Sequence, residues 1–181
     1  MEKILITCLA TFILLITAHS LTNAQGTGKA AFRDKPDFIS KYFEPKSHQG
    51  SSTETRVTEI NIKAVRHFIK TFDQAENVHW HKSANGTVVF FTENGITSRA
   101  DYDRKGHWLY NIRTYEESNL DKDIRALVKR TYYDYSITSV NEVTDDEQTA
   151  YIIQIEDKTT LKSLSIYDGE MYVIKEYVKS K

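Results

Sequence analysis

The feature that most constrains the fold is a pattern that occurs twice in the last two thirds of the chain. A helix-like stretch followed by several strand-like stretches runs from Ile62 to Thr114, and the same succession runs from Leu120 to Tyr177. Near the end of each succession stands a Tyr-Asp turn, Tyr102-Asp103 in the first and Tyr167-Asp168 in the second. Repetition of this kind predicts an architecture without predicting a reaction.

Each repeat opens with the pattern of an amphipathic helix. Asn61 is a suitable N-cap for the first helix, and Ser118-Asn119-Leu120-Asp121 has the form of a capping box for the second. In both helices apolar residues recur at i, i+3, i+4 and i+7, with Thr131 completing the second set, which predicts one buried face. These residues are Val65, Phe68, Ile69 and Phe72 in the first repeat, and Ile124, Leu127, Val128 and Thr131 in the second.

Four strand-like stretches follow each helix. In the first repeat they are separated by Asn85-Gly86, Asn94-Gly95 and Lys105-Gly106, and Asn-Gly between extended runs predicts a tight hairpin because both turn residues need positive φ. The predicted strands are 78–81, 88–92, 96–102 and 108–114, then 137–143, 150–156, 161–167 and 171–177. Each repeat therefore predicts an antiparallel meander, covered on one face by its helix and open on the other.

The pattern predicts an α+β fold made by tandem duplication of a helix plus four-stranded antiparallel sheet unit. The repeats span about 60–115 and 118–178, within one domain at 60–181. The two sheets can join edge to edge or pack through their helices, and the sequence leaves both arrangements open.

The N-terminal third predicts export. Lys3 followed by an apolar run from Ile4 to Ala18 and small residues up to Ala24 is typical of a secretory signal peptide, which we assign to residues 1–24. Residues 25–59 contain both prolines and a polar run, which predicts a tether. Within it, Phe38 to Phe43 form an apolar cluster, for which a short helix docked on the body is an open alternative.

Composition excludes several classes of protein. Cys8 is the only cysteine and lies in the signal peptide, so the exported chain has no disulfide and no thiol chemistry. Lys plus Arg number 24 and Asp plus Glu number 25, which gives no overall electrostatic reason for binding nucleic acid. The apolar run is too short for a membrane span, so we expect no stable membrane insertion after the signal is cleaved. The location predicted is the periplasm or the cell exterior.

The turn Tyr102-Asp103-Arg104-Lys105-Gly106-His107-Trp108, with its degenerate second copy from Tyr167 to Met171, resembles the PepSY-like family, also called beta-lactamase-inhibitor-protein-like, of exported Bacteroidetes proteins. The resemblance covers roughly Ile60 to Tyr177. It implies a fold similar to a beta-lactamase inhibitor protein, and it carries no catalytic residues. The long polar stretch before Val57 departs from the compact family pattern.

Three histidines form the metal-binding hypothesis. His79 and His81 are alternate residues of one strand and share a face, so their imidazoles can hold Zn²⁺ or Cu²⁺, with His107 as a third ligand if the strands bring it close. The competing interpretation is that all three are polar residues on an exposed sheet face. A metal or small-ligand carrier is therefore the alternative function.

Aromatic residues supply the preferred hypothesis. Tyr and Trp anchor protein interfaces because they bury a large area at low entropic cost. The predicted binding surface comprises Trp80, Trp108 and Tyr110 on the exposed face of the first repeat, with an envelope protein or a peptide as partner. No phosphate loop, Gly-x-Ser-x-Gly or His-Glu-x-x-His motif occurs, so we expect a binding module that is not an enzyme and needs no cofactor.

Overall fold

The computed structural model describes residues 55–180. Its two helices are α1 (Ile62–Thr71) and α2 (Lys122–Thr131), each preceded by a 3₁₀ turn, Val57–Glu59 and Glu117–Asn119. Its strands are β1 (Glu76–Ser83), β2 (Gly86–Glu93), β3 (Ile96–Asp103), β4 (Trp108–Tyr115), β5 (Ser136–Thr144), β6 (Thr149–Glu156), β7 (Thr160–Tyr167) and β8 (Glu170–Val178). The predicted positions of helices and strands are confirmed, but Ile69 and Thr131, predicted on the buried faces of the two helices, are exposed because they lie at the edge of the packed stripe.

Side-chain caps set the start of both helices. The Oδ1 atom of Asn61 accepts a hydrogen bond from the backbone N–H of Lys63 at 3.0 Å, so the predicted cap of α1 is confirmed. In α2 the cap is Asp121, whose Oδ1 atom accepts the N–H groups of Asp123 and Ile124 at 2.9 and 3.2 Å. The predicted capping box differs in that its first two residues, 118 and 119, belong to the preceding 3₁₀ turn.

All eight strands form one antiparallel sheet in the order β1 to β8. The predicted layout, a tandem duplication of a helix plus four-stranded sheet unit, is therefore wrong, and of the two arrangements left open the strands join edge to edge. The strand that ends the first meander, β4, pairs with β5 from Asn111–Thr144 to Tyr115–Val140. This pairing satisfies backbone N–H and C=O groups that two separate sheets would leave exposed along two edges.

Both helices pack on the same face of the sheet, and each covers its own core cluster. Under α1 the cluster centres on Phe68, Trp80 and Phe91, whose rings meet edge-on at 5.1–5.2 Å. Under α2 the cluster centres on Val128 and a set of branched aliphatic side chains. That set comprises Val140, Ile153, Ile155, Leu164 and Ile166.

The Tyr-Asp-x-x-Gly-x-Trp turn between β3 and β4 attaches the sheet to the start of α1. The carboxylate of Asp103 accepts the backbone N–H groups of Lys105 and His107, both at 2.8 Å, and lies 3.0 Å from Nδ1 of His107. The hydrogen bond from the His107 N–H is the largest cause that lowers the pKa of the Asp103 carboxyl. The carbonyl of Arg104 accepts a bond from Nδ2 of Asn61 at 3.3 Å.

Gly106 is required in this turn for two reasons. Its φ of +82° lies in the left-handed region, where a side chain is strained. A Cβ atom at this position would lie 2.7 Å from Oδ1 of Asn61 and 3.0 Å from the backbone nitrogen of Ala64. The glycine therefore lets the turn approach the N-terminus of α1 closely enough to contact its cap.

β-Bulges interrupt four of the seven strand pairs. The register shifts in the pairs β1–β2, β3–β4, β5–β6 and β7–β8. In β4 the extra residue is Leu109, because Trp108 lies opposite Tyr102 while Tyr110 lies opposite Asp101. A bulge of this kind reverses the alternation of side chains on one strand and increases the local twist.

Part of the predicted domain organisation lies outside the described residues. This holds for the signal peptide at 1–24, for the possible helix at 38–43, and for the tether at 25–59 up to residue 54. The last five residues of that tether belong to the folded body. The backbone N–H of Thr55 donates to the carbonyl of Trp80 at 2.7 Å, and Val57–Glu59 form a 3₁₀ turn.

The two roles of Gly106 predict that its substitution destabilises the fold more than substitution of a glycine that has positive φ alone. We expect Gly106→Ala to lower the free energy of unfolding by about 2–4 kcal/mol, since it adds a steric clash to the left-handed penalty of roughly 1–2 kcal/mol. The matched control is Gly95→Ala, whose φ is +76° and whose added Cβ would meet no atom within 4 Å. Urea denaturation of both variants measures the difference, and equal losses would contradict the proposed contact with α1.

Candidate binding face

The sheet face opposite α1 and α2, which we call the open face, carries a continuous row of side chains across all eight strands. Each residue of this open-face row lies directly opposite the next one in the strand pairing. The row comprises His79, Phe90, Arg99, Ile112, Val143, Ala150, Tyr167 and Glu170. It exists only because β4 pairs with β5.

The middle of the open-face row is apolar and buried. Val143 is 0% exposed and Ala150 is 1% exposed, and Ile152 beside them is 4% exposed. None of the three belongs to the core clusters under the helices. These side chains offer almost no accessible surface, so any contact surface on the open face lies on the exposed side chains elsewhere along the row.

The β1–β3 end of the row combines aromatic and charged groups. Phe90 is 41% exposed, the ring of His81 meets it edge-on at 5.6 Å, and the guanidinium of Arg99 lies 5.9 Å from its centroid. Arg99 also makes two hydrogen bonds of 2.7 Å to the carboxylate of Asp101. This bidentate pair fixes the guanidinium plane beside the phenyl ring.

The predicted binding residues do not form one surface. Trp80 is only 3% exposed and lies in the core, opposite Val89 on the face that α1 covers. Trp108 lies half-buried on that same face, whereas Tyr110 lies on the open face. The bulge at Leu109 is the physical reason, because without it Trp108 and Tyr110 would share a face.

Trp108 instead forms a cluster with His67 of α1. The imidazole stacks on the indole with centroids 5.6 Å apart and an interplanar angle of 18°. Its Nδ1 atom lies 3.0 Å from the hydroxyl of Tyr102, and its Nε2 atom lies 3.4 Å from Oγ1 of Thr71. Burial raises the pKa of the Tyr102 phenol well above its ordinary range, so the hydroxyl stays protonated.

The structure does not bring the three predicted metal ligands together. His79 and His81 share the open face of β1, as predicted. His107 lies in the β3–β4 turn beside Asp103, and three strand spacings of ~4.8 Å place β4 roughly 14 Å from β1. Within residues 55–180, no group of three or more His, Cys, Asp or Glu side chains is arranged to hold a metal ion.

Carboxylates that could serve as an acid and base pair have structural partners instead. Asp101 is paired with Arg99, and Asp103 closes the β3–β4 turn. In the β5–β6 turn, Oδ1 of Asp145 accepts the backbone N–H groups of Glu147 and Gln148, both at 3.0 Å. Each of these contacts is one that carboxylates in turns and ion pairs commonly make.

A surface groove of about 410 Å³ lies beside the N-terminus of α1, and no sequence pattern predicts it. Its cationic residues are engaged: Nζ of Lys82 lies 3.2 Å from a carboxylate oxygen of Glu59, and the guanidinium of Arg104 donates twice to the carbonyl of Ala84. The groove therefore offers a ligand little charge that is not already paired.

The sequence pattern did not predict the open-face row, because the row depends on the register of the strand pairs. Alternation along β2 and the Asn-Gly turns could have placed Phe90 opposite Arg99, since hairpin turns fix the register. The continuation through Ile112 to Val143 crosses the β4–β5 pair, whose connection contains a whole helix. No local sequence signal specifies that register.

Neither helix in the described part of the chain is long and apolar enough to cross a membrane. No protein-family model and no curated protein matches the chain.

Solved structures from Bacteroides resemble the fold. A BLIP-like protein from Bacteroides fragilis is similar with a TM-score of 0.53 and 13% identity, over 67% of this chain and 88% of that one. A DUF2874 family protein from Bacteroides uniformis is similar with a TM-score of 0.51 and 14% identity, over 64% of this chain and 87% of that one. A candidate periplasmic protein from Bacteroides eggerthii is similar with a TM-score of 0.52 and 16% identity, over 66% of this chain and 88% of that one.

At these identities the similarity shows a shared fold and nothing finer. The predicted likeness to a beta-lactamase inhibitor protein is supported at the level of fold, through the BLIP-like structure. The PepSY-like assignment stays a prediction.

The His67 cluster predicts a loss of stability in acid. Burial lowers the pKa of His67 below its ordinary value of 6.5, while Asp146 partly opposes this shift and Lys70 adds to it. The neutral ring thus stabilises the fold above about pH 6.5, and that stability is lost as the pH falls towards the lowered pKa.

We therefore expect the wild-type protein to lose more unfolding free energy between pH 7.5 and 5 than His67→Gln does. Urea denaturation at both pH values measures this difference. The other titrating groups are common to the two proteins, so an identical pH dependence would show that His67 is not the group responsible.

Proposed function

We propose that this protein is a non-enzymatic binding module, exported to the periplasm or beyond, whose open face binds another envelope protein or a peptide. The observation that carries the proposal is the β1–β3 end of the open-face row, where the phenyl ring of Phe90 is 41% exposed beside the imidazole of His81 and the guanidinium of Arg99. Aromatic and arginine side chains are the ones most often found as anchors in protein interfaces.

Several features support a polypeptide as the ligand. The row crosses eight strands, a span of roughly 34 Å at ~4.8 Å per spacing, which is longer than a small molecule and suits a chain segment or a protein edge. The aromatic and charged groups at its β1–β3 end can contact side chains and backbone alike. The predicted signal peptide supports an encounter outside the cytoplasm.

The sheet face proposed here replaces the one inferred from sequence. Tyr110 remains part of it, because it lies on the open face beside Asp101. Trp80 and Trp108 contribute to the fold beneath α1 instead. A metal carrier is not favoured, since His79 and His81 have no third ligand among residues 55–180.

The test is capture from the envelope of the organism of origin, with a chemical cross-linker and the full exported chain as bait. We expect Phe90→Ala to reduce recovery of the cross-linked partner at least about tenfold, which corresponds to the loss of an aromatic anchor worth about 1.4 kcal/mol or more.

The matched control is Ile69→Ala, which removes an exposed apolar side chain, 64% accessible, from α1 on the opposite side of the sheet. This variant should capture the same partner at the wild-type yield. If Phe90→Ala recovered the partner at the wild-type yield, or if both variants lost it, the assignment of binding to the open face would be contradicted.

A further inference from the structure

The outward side of α1 carries a row of cations with no acidic residue among them. Lys63, Arg66 and Lys70 are all exposed, and their spacing places them on one side of the helix, away from the buried Ala64 and Phe68. None of the three cations forms an ion pair with a carboxylate of residues 55–180. We call these three residues the α1 basic stripe.

The charges of α2 are arranged differently, although α2 has the same length and covers the other half of the sheet. Arg125 and Lys129 both contact the carboxylate of Glu117, at 2.8 and 3.9 Å. In the first turn of α2, the acid Asp123 follows Lys122 and offsets its charge. The charges of α2 are therefore largely balanced by neighbours, as on an ordinary solvated helix.

The first turn of α1 lacks this balance. Its second residue is Lys63, and the turn contains no acidic residue. The N-terminus of a helix carries a partial positive charge, so a cation in this turn opposes the helix dipole. Helix stability therefore does not explain why the α1 basic stripe begins at this position.

Exposed aliphatic side chains lie beside the α1 basic stripe. Ile62 and Ile69 are 57% and 64% exposed, and a separation of two turns puts both on the same flank of α1. Val57, in the 3₁₀ turn that precedes α1, is 51% exposed. Cations next to aliphatic side chains are typical of helices that lie on an anionic membrane, where the aliphatic groups reach the acyl boundary. A soluble polyanion would contact the cations alone.

We propose that the α1 side of the protein docks on the surface of a membrane that contains anionic phospholipids. The α1 basic stripe contacts the headgroups, and the aliphatic side chains beside it enter the interface without crossing the bilayer. Charge complementarity favours this occupant, because cations with no carboxylate partner in the described part of the chain meet the negative potential of such a membrane. The helices and the open face lie on opposite sides of the sheet, so docking through α1 directs the open face away from the bilayer. The proposal is independent of the proposed function.

Vesicle binding by the exported chain, from Gln25 onward, tests the proposal. Vesicles of phosphatidylglycerol and phosphatidylcholine in equal parts are compared with vesicles of phosphatidylcholine alone, by co-sedimentation. We expect much tighter binding to the mixed vesicles, and binding that weakens as salt is added, because ions screen exposed charges. No binding to the mixed vesicles, or equal binding to both kinds, would overturn the proposal.

Neutralising the α1 basic stripe should remove most of this affinity. Replacement of all three cations by glutamine is expected to weaken binding to the mixed vesicles about 100-fold, since each cation near an anionic membrane contributes roughly fivefold. The single change Arg66→Gln should weaken it about fivefold, and it serves if circular dichroism shows that the triple variant has lost its fold.

The matched control changes the net charge equally at the other end of the sheet. It replaces three exposed cations by glutamine: Lys158 in the β6–β7 turn, Lys175 in β8 and Lys179 just after it. We expect this variant to bind the mixed vesicles like the wild type. If it lost as much affinity as the stripe variant, net charge and not α1 would be responsible, and the proposal would fail.

The variant Ile62→Ser separates a membrane from an acidic polypeptide as the occupant. We expect it to weaken binding to the mixed vesicles about fivefold, because burial of an aliphatic side chain in the interface is lost. Binding to polyglutamate, measured in parallel, should be weaker than vesicle binding and unaffected by Ile62→Ser. Tighter binding of the wild type to polyglutamate than to vesicles, or no effect of Ile62→Ser on vesicle binding, would overturn the membrane assignment.

Discussion

The pairing of β4 with β5 is the interaction on which the rest of the structure depends. Five residue pairs join the two meanders, and side chains reinforce them on both faces. On the helix-covered face Arg113 contacts Glu142 at 3.1 Å, and on the open face Oγ1 of Thr114 donates to Asn141 at 2.8 Å. Without this seam the sheet would divide, and the open face would become two narrow faces with exposed edges.

The seam combines polar and apolar pairs. Ile112 lies opposite Val143 on the open face, and Tyr115 lies opposite Val140 on the helix-covered face, where both belong to the core cluster under α2. Between them, the partly exposed Arg113–Glu142 pair also receives a hydrogen bond of 2.5 Å from the hydroxyl of Tyr115 to Glu142. Ion pairs of this exposure contribute little net stability, so this pair serves mainly to fix which residues of β4 and β5 face each other.

Local signals in the sequence predicted the local structure well. Asn61 as a cap, Asn94-Gly95 as a tight turn and the alternation along β6 all correspond to what the structure shows, because each depends on neighbours within a few residues. The division into two helix-plus-four-strand units was wrong, and the way the strands join was left open, since the β4–β5 register is set across a helix-containing connection. Trp80 illustrates the remaining difficulty: an aromatic residue on a strand has the same pattern whether it serves a core or a surface.

The bulge at Leu109 separates two side chains that a regular strand would place on the same face. In a regular strand, residues two positions apart always point to the same side of the sheet. Here one inserted residue lets Trp108 serve the interior while Tyr110 serves the exterior. Loss of Leu109 would leave Trp108 opposite Tyr102 and Tyr110 opposite Asp101, so the two side chains would keep their present faces as neighbours on a regular strand. The length of β4 can therefore change at this bulge while both faces of the sheet, the turn at Gly106 and the helix cap beneath it stay the same.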